Sequence, residues 1–515
     1  MVGSRGSLGQ KSLSLFVATW LSAAVNLVSG ILVARVLGPD AIGSLSFGLG
    51  LSGLVMAALV PGFSQAHMKR IAEGGDPGVC IATFALIKLV LYVPFLLLAV
   101  VAGPYRGFLF ETPTLEAVFV FLFTGRALSS LAEVFTIALV VRERVVQQAS
   151  VLLAARGLRL ATTLLVLVWV PDVTLIAATF ALEGLVELAG ATLAVRVWVG
   201  IRLRAPTYAS IRSYWEYARP MLVSVPIGML QDSVDRVVVK QWAGLTAAGY
   251  YHVARGCWEL LGSLNAYPAI FLFTRMSALF AVRSPERDHE ARTLFYSGMD
   301  KLLFVATPLG LILWFAAEPL IAAVFGPAFT PATSAVRIFV LANLAATLTN
   351  NYTQVLYALE AHGRLVPVVV WRAALYLGLL AILVPTEPLF GWIPSLGLGG
   401  AGAALGRLFL LVVPAWMYVA WARELAGIGF FARSWLYLGG FAAALAVDTA
   451  TERFVHWMVG LPTLGAPVAP LAGLAAYAAL LGALHPAPGE MLRYCLDLVS
   501  PARVAGFLRR EIGRS

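Results

Sequence analysis

A chain of 515 residues that is 60% hydrophobic and only 12% charged, with a mean hydropathy of +0.84, carries too little polar surface to be a soluble globule of that size. Its net charge of +10 would raise nucleic acid as a partner of a soluble protein, but most of the excess falls in short loops between apolar runs, so the charge is topological and no nucleic acid is expected. Three cysteines, Cys80, Cys257 and Cys495, form no CxxC or Cys/His cluster, which indicates neither a disulfide framework nor a zinc site.

In chain order, Met1 to Lys11 is a short basic leader to an uncleaved apolar span, Ser12 to Ala34, longer than a signal-peptide core. Further spans are expected within Ile42–Met68, Val79–Ala102, Leu115–Val141, Gln148–Val170 and Thr174–Val197, closing a first six-helix bundle over residues 1–199. Residues 200–219 form a basic, aromatic connector suited to the cytoplasmic interface, where Tyr, Trp and Arg are favoured. A second six-helix bundle, 220–422, comprises Met221–Trp242, Ala247–Phe273, Met299–Val324, Thr333–Leu359, Leu365–Val384 and Leu396–Ala420. Two additional helices, Trp435–Phe454 and Leu464–Leu484, occupy 423–486, and 487–515 is a basic amphipathic cytoplasmic tail with a helix over Met491–Arg510. The fold class is therefore an all-α polytopic membrane protein of about 14 transmembrane helices at ~20 residues each.

With a cytoplasmic N-terminus, about 25 of the 37 basic residues fall on inner segments and about four on outer ones, as the positive-inside rule requires. Both termini are then cytoplasmic. A trace of repetition joins the halves: Gly38 and Gly43 flank PDAI, and Gly244 and Gly249 flank LTAA at the same spacing, which predicts parallel repeats around a central cavity.

The remaining basic residues are the informative ones. Lys88, Arg126, Arg156, Arg159, Arg255 and Arg407 each sit about ten or more residues from a span end, near the bilayer midplane at 1.5 Å per residue. Charges at that depth cost at least ~2.5 kcal/mol and face a polar cavity or a counter-ion. Acids at similar depth are Glu133, Glu183, Glu187, Asp232, Asp235 and Glu259. Spacing of four predicts the pairs Arg255–Glu259 and Asp232–Arg236, whereas Arg156 and Arg159 have no acid on their own span. No GxxxxGK[ST] loop, HExxH or catalytic triad occurs, so neither an ATPase nor another enzyme is expected, and no cofactor or metal.

LVARVLGPDAIGSLSF in the first hairpin, QDSVDRVVVKQWAGLTAAGYYHVAR around the seventh and eighth spans, and EPLIAAVFGPAFTPATSAVRIFVLANLAATLTNNYTQVLYALEAHGR around the ninth and tenth resemble the polysaccharide-biosynthesis flippases. These belong to the multidrug/oligosaccharidyl-lipid/polysaccharide exporter superfamily, and the resemblance runs from Leu13 to about Leu484. It implies two six-helix bundles in a V around a central cavity. The implied activity is translocation of a polyprenyl-diphosphate-linked oligosaccharide, such as an O-antigen unit, to the outer leaflet of the cell membrane, with polymerases or glycosyltransferases as partners. On that reading the six midplane cations are the candidate diphosphate ligands, and Asp235, Glu133 and Glu187 the candidates for ion coupling. Alternating access would bend spans at Pro226, Pro268 and Pro308. A multidrug or organic-cation antiporter of the same superfamily is the alternative, disfavoured by the excess of intramembrane cations; a membrane glycosyltransferase or polymerase is disfavoured by the short outer loops.

Overall fold

The computed structural model describes residues 8–499, apart from 60–61, 102–105, 143, 202, 220–221, 223, 283, 390, 392–393 and 460–461. The start of the leader and the tail beyond Val499 lie outside the described residues. Every regular element among the described residues is helical. The first half holds α1 (Leu8–Leu59), α2 (Phe63–Ala72), α3 (Pro77–Val101), α4 (Arg106–Leu109), α5 (Pro113–Val141), α6 (Val145–Trp169) and α7 (Val173–Ala194). The connector carries α8 (Tyr208–Ala218); the second half holds α9 (Ser224–Gln231), α10 (Val234–Phe280), α11 (Pro285–Phe325), α12 (Thr333–Ala358), α13 (His362–Leu383), α14 (Gly399–Val412) and α15 (Ala415–Ala426). After these come α16 (Ser434–Val459), α17 (Pro462–Leu484) and α18 (Pro488–Val499).

Helix starts follow from local sequence. The Thr112 hydroxyl accepts from the Leu115 amide ahead of Pro113, Asp172 accepts from Thr174 and Leu175, and Ser284 accepts from Arg287 ahead of Pro285; each cap contributes about 1 kcal/mol. Eight helical stretches among the described residues are long and apolar enough to cross a membrane. One of them, Leu21–Ala57, has 37 residues and would measure about 55 Å if straight, against about 30 Å of hydrocarbon. It bends instead: Gly38 lies inside α1 with φ 78° and ψ −173°. Gly244 does the same inside α10, at φ 90° and ψ 172°. These torsions are open to glycine and strained for residues with a Cβ, so the repeated glycine motif produces two repeated bends. Pro268 and Pro308, expected to bend their spans, sit inside continuous helix.

Three expected spans are interrupted. The span placed at Ile42–Met68 stops at Leu59, and Gly62, with φ 77°, starts the separate helix α2. Met221–Trp242 is broken between α9 and α10, where Ser233 leaves helical torsion. Leu396–Ala420 divides at Pro414, which has no amide proton to continue the helix.

Within the first half, α5, α6 and α7 pack on one another and on α1; within the second, α10, α12, α14 and α11 do likewise. The most extensive contact between the halves is α1 against α10, and it is made by the two bent hairpins. A Cβ on Gly43 would collide with the Leu245 carbonyl, and one on Gly249 with the Pro39 carbonyl. Each hairpin therefore inserts its second glycine against the bend of the other, the reciprocity expected of a two-fold repeat. Polar contacts surround this crossing. Thr246 Oγ1 and Asp40 Oδ1 are 2.5 Å apart, Arg35 Nε donates to the Val324 carbonyl at 2.7 Å, and Lys240 Nζ lies 2.8 Å from Glu111 Oε1. One apolar cluster unites residues of both halves, including Val33, Ile42, Val239, Ala248 and Phe339. A second joins α11 and α12 to α16 and α17. A third fixes the connector through the buried Tyr214 and Ala218.

Candidate functional site

The six midplane cations expected from the sequence, with the acids near them, gather into two clusters and one isolated cation. In the second half the centre is Asp235, fully buried in the first turn of α10. The bend at Gly244 returns the chain alongside itself, so Arg255 Nη1 reaches both Asp235 oxygens at 2.8 Å. Arg407 Nη2 on α14 adds a 2.8 Å bond, and the hydroxyls of Tyr251 and Tyr376 donate at 2.7 and 2.9 Å. The Arg236 amide also donates to Oδ1 at 2.8 Å, so the donors around this carboxylate at least match its roughly four lone-pair sites. Arg407 is completed by the Gln231 carbonyl at 2.9 Å and Asp232 Oδ1 at 3.1 Å, with Trp258 and Tyr376 rings 5.3 and 5.2 Å from its guanidinium.

The expected pair Arg255–Glu259 forms, at 2.9 Å. Asp232–Arg236 does not. Asp232 turns to Arg407, and Arg236 reaches Glu259 at 3.2 Å, because the break between α9 and α10 removes the helical register on which a spacing of four depends.

In the first half, Arg159 Nη1 on α6 lies 2.8 Å from Glu183 Oε2 on α7, and Arg156 Nε lies 3.7 Å from Glu183 Oε1. Arg159 also bonds Asn26 and stands 4.4 Å from the Phe180 ring centroid. The acid absent from their own span is supplied by the next one. Lys88 is buried on α3 and held by Glu133 Oε2 at 2.8 Å and Ser130 Oγ at 2.9 Å, both on α5. Glu187 accepts from Ser129 Oγ at 2.7 Å and has no ion-pair partner among the described residues.

Arg126 differs from the other five cations. It projects from α5 to the seam between the halves, where its Nη1 would be 3.1 Å from a Cβ on Gly53, a position that also faces Ser233. It has no hydrogen-bond or ion-pair partner among the described residues, and the charge acting on it is the like charge of Arg236. Of the three coupling candidates, Asp235 is saturated, Glu133 is paired with Lys88, and Glu187 is free of ion pairs among the described residues. The tyrosines of the Asp235 cluster were not legible as ligands. The one local signal was Tyr251 standing four residues before Arg255, on the same helix face.

Beyond the span that ends near Ala57, His67 on α2 bonds Tyr214 through Nδ1 at 2.8 Å and the Val134 carbonyl through Nε2 at 3.0 Å. It ties α2 to the connector. Burial pushes its pKa down to about 4, so it is a neutral hydrogen-bonding residue near pH 7.

Residues 8–280 match the family described as polysaccharide biosynthesis protein. Among solved structures, the inward closed conformation of the lipid II flippase MurJ superposes with a TM-score of 0.69 at 13% identity, covering 92% of this chain and 98% of that one. The inward-facing conformation of a multidrug resistance MATE family transporter of the MOP superfamily gives 0.56 at 15% identity, over 81% of this chain and 98% of that one. Its outward-facing counterpart gives 0.52 at 16% identity, over 82% and 97%. No curated protein matches the sequence. The fold is thus the one these transporters share, and the chain belongs to the polysaccharide biosynthesis protein family.

Proposed function

We propose that this protein is a flippase that carries a polyprenyl-diphosphate-linked oligosaccharide from the cytoplasmic to the outer leaflet of the cell membrane, with both termini cytoplasmic. The diphosphate and sugars cannot cross hydrocarbon unaided, while the polyprenyl chain can stay in lipid. A polar seam between two bundles meets that need. The observation that carries the reading is Arg126: each charge cluster sets three cations against three acids, with Glu187 counted in the first half, and Arg126 is the cation left over at the seam.

Arg126 is the first diphosphate contact in this reading, with Arg156, 26% exposed and only loosely paired, as the second. Lys88, Arg159, Arg255 and Arg407 act by holding the two bundles in shape, and Arg255 and Arg407 reach substrate only if the Asp235 cluster opens. A headgroup with about two negative charges gains roughly 4 to 5 kcal/mol moving outward across an inside-negative potential of ~100 mV, at ~2.3 per charge, so the potential suffices as a driving force. Glu187 is the remaining candidate for proton coupling.

The test is a proteoliposome assay in which the lipid-linked oligosaccharide starts in one leaflet and its arrival in the other is read by an impermeant glycan-modifying enzyme. Protein-dependent arrival that falls at least about tenfold in Arg126→Gln, the cost of roughly one charged hydrogen bond, supports the reading. Arrival equal to that of empty liposomes, together with movement of a small organic cation, overturns it in favour of an antiporter.

A further inference from the structure

Away from the seam, α12, α13 and α15 enclose a crevice of about 170 Å³. Its walls carry Thr349, Asn350 and Thr353 from α12, Arg372 from α13 and Tyr418 from α15. Arg372 stands ten residues into α13, about 15 Å along its axis, so it belongs to a span and not to an inner loop. It lies one turn before Tyr376, and the crevice wall residues Leu410 and Leu411 lie one turn after Arg407. The crevice is therefore stacked one helical turn from the Asp235 cluster, as a separate space.

Arg372 is the only charged residue in that lining and has no ion-pair partner among the described residues. Its side chain is held inward: Nη1 donates to the hydroxyl of the buried Tyr418 at 3.3 Å, and Nε is buried without an acceptor. A guanidinium fixed at that depth needs an anion. Helix α13 carries no acid, and Glu424 on the neighbouring α15 is already taken by Arg364 through two bonds of 2.7 and 2.8 Å. The walls supply donors in a matching arrangement. Arg372 offers its remaining guanidinium edge, Tyr418 keeps its own hydroxyl proton after accepting from Arg372, and Asn350 adds an amide. The hydroxyls of Thr349 and Thr353 are turned back to the Ala345 and Asn350 carbonyls. A guanidinium flanked by two neutral donors is suited to a tetrahedral oxyanion, and the volume accommodates one.

We propose that this crevice is a phosphate-binding site, separate from the seam, that takes the phosphate group of an anionic lipid headgroup or a soluble phosphate of the same chemistry. The site does not depend on the flippase assignment. The test is binding to the purified full-length protein, read by thermal unfolding and by titration. In neutral detergent the probes are inorganic phosphate and pyrophosphate; in bilayer discs the probe is phosphatidylglycerol, with phosphatidylcholine as the uncharged comparison. The expected result is saturable stabilisation by at least one phosphate probe, with affinity lowered roughly ten- to a hundredfold by Arg372→Gln and less by Tyr418→Phe. Binding only by phosphatidylglycerol in discs identifies a lipid headgroup; binding by pyrophosphate in detergent identifies a soluble phosphate. The part of the binding that Arg372→Gln removes should be equally large when measured in an Arg126→Gln background. If no probe stabilises the protein, or if stabilisation persists equally in Tyr418→Phe and in Arg372→Gln, the proposal is overturned; should Arg372→Gln not fold, Tyr418→Phe decides alone.

Discussion

Depth alone did not distinguish a cation that meets substrate from one that meets an acid, and the partner's position in the chain explains why. Arg159 finds Glu183 on the following helix, and Arg407 finds Asp232 and Asp235 from more than a hundred and fifty residues away; neither pairing has a local signature. Arg255–Glu259 was legible because it lies within one unbroken helix. These differences make opposite predictions for two single substitutions. Asp235→Asn removes the charge that holds both Arg255 and Arg407 in a fully buried place, and breaking a buried pair from one side costs about 3–5 kcal/mol. Its thermal midpoint in detergent should fall by many degrees, with transport lost through instability. Arg126→Gln removes a charge that nothing in the fold uses, so its midpoint should be unchanged or raised while transport falls. Equal midpoints for Asp235→Asn and the unmodified protein would show that the cluster is not holding the second half together.

At the scale of elements, the feature most legible in sequence was the pair of glycine-flanked turns, because a backbone conformation restricted to glycine leaves a residue-level mark. Gly38 and Gly244 take that conformation, and Gly43 and Gly249 permit the crossing. The breaks before α2 and before α15 escape a hydropathy reading because apolar residues flank Gly62 and Pro414 on both sides, and the break between α9 and α10 escapes it because the polar Gln231-Asp232-Ser233 sits between two apolar runs of one span's total length. The crossing gives a prediction of its own. Gly249→Val places a branched side chain against the Pro39 carbonyl backbone, which cannot move without shifting α1. The halves should part at this end. A cysteine at Thr246 in that background should then react with an impermeant maleimide faster than in the glycine parent; unchanged reactivity would mean the crossing tolerates the added bulk.

For the whole molecule, the polar contacts between the halves named above, Asp40–Thr246, Arg35–Val324 and Lys240–Glu111, lie around the Gly43–Gly249 crossing. On the topology proposed from the loop charges, that end faces outside. Transport by rocking requires this end to open, because a closed crossing of backbone on backbone leaves no room for sugars, and packed interfaces switch between discrete arrangements instead of stretching. Cross-linking is the direct test. With Cys80, Cys257 and Cys495 replaced by serine, the double substitution Asp40→Cys and Thr246→Cys puts two thiols where the side chains now touch. Oxidation, or a short bis-thiol reagent, should join them, and mass analysis can measure the fraction joined. Transport in proteoliposomes should fall in proportion to that fraction and return on cleavage of a reducible link. Each single-cysteine protein should be unaffected by the same treatment. If fully joined protein still transports, the seam at this end does not open during the cycle, and the lipid-linked headgroup passes by a route that leaves the two hairpins in contact.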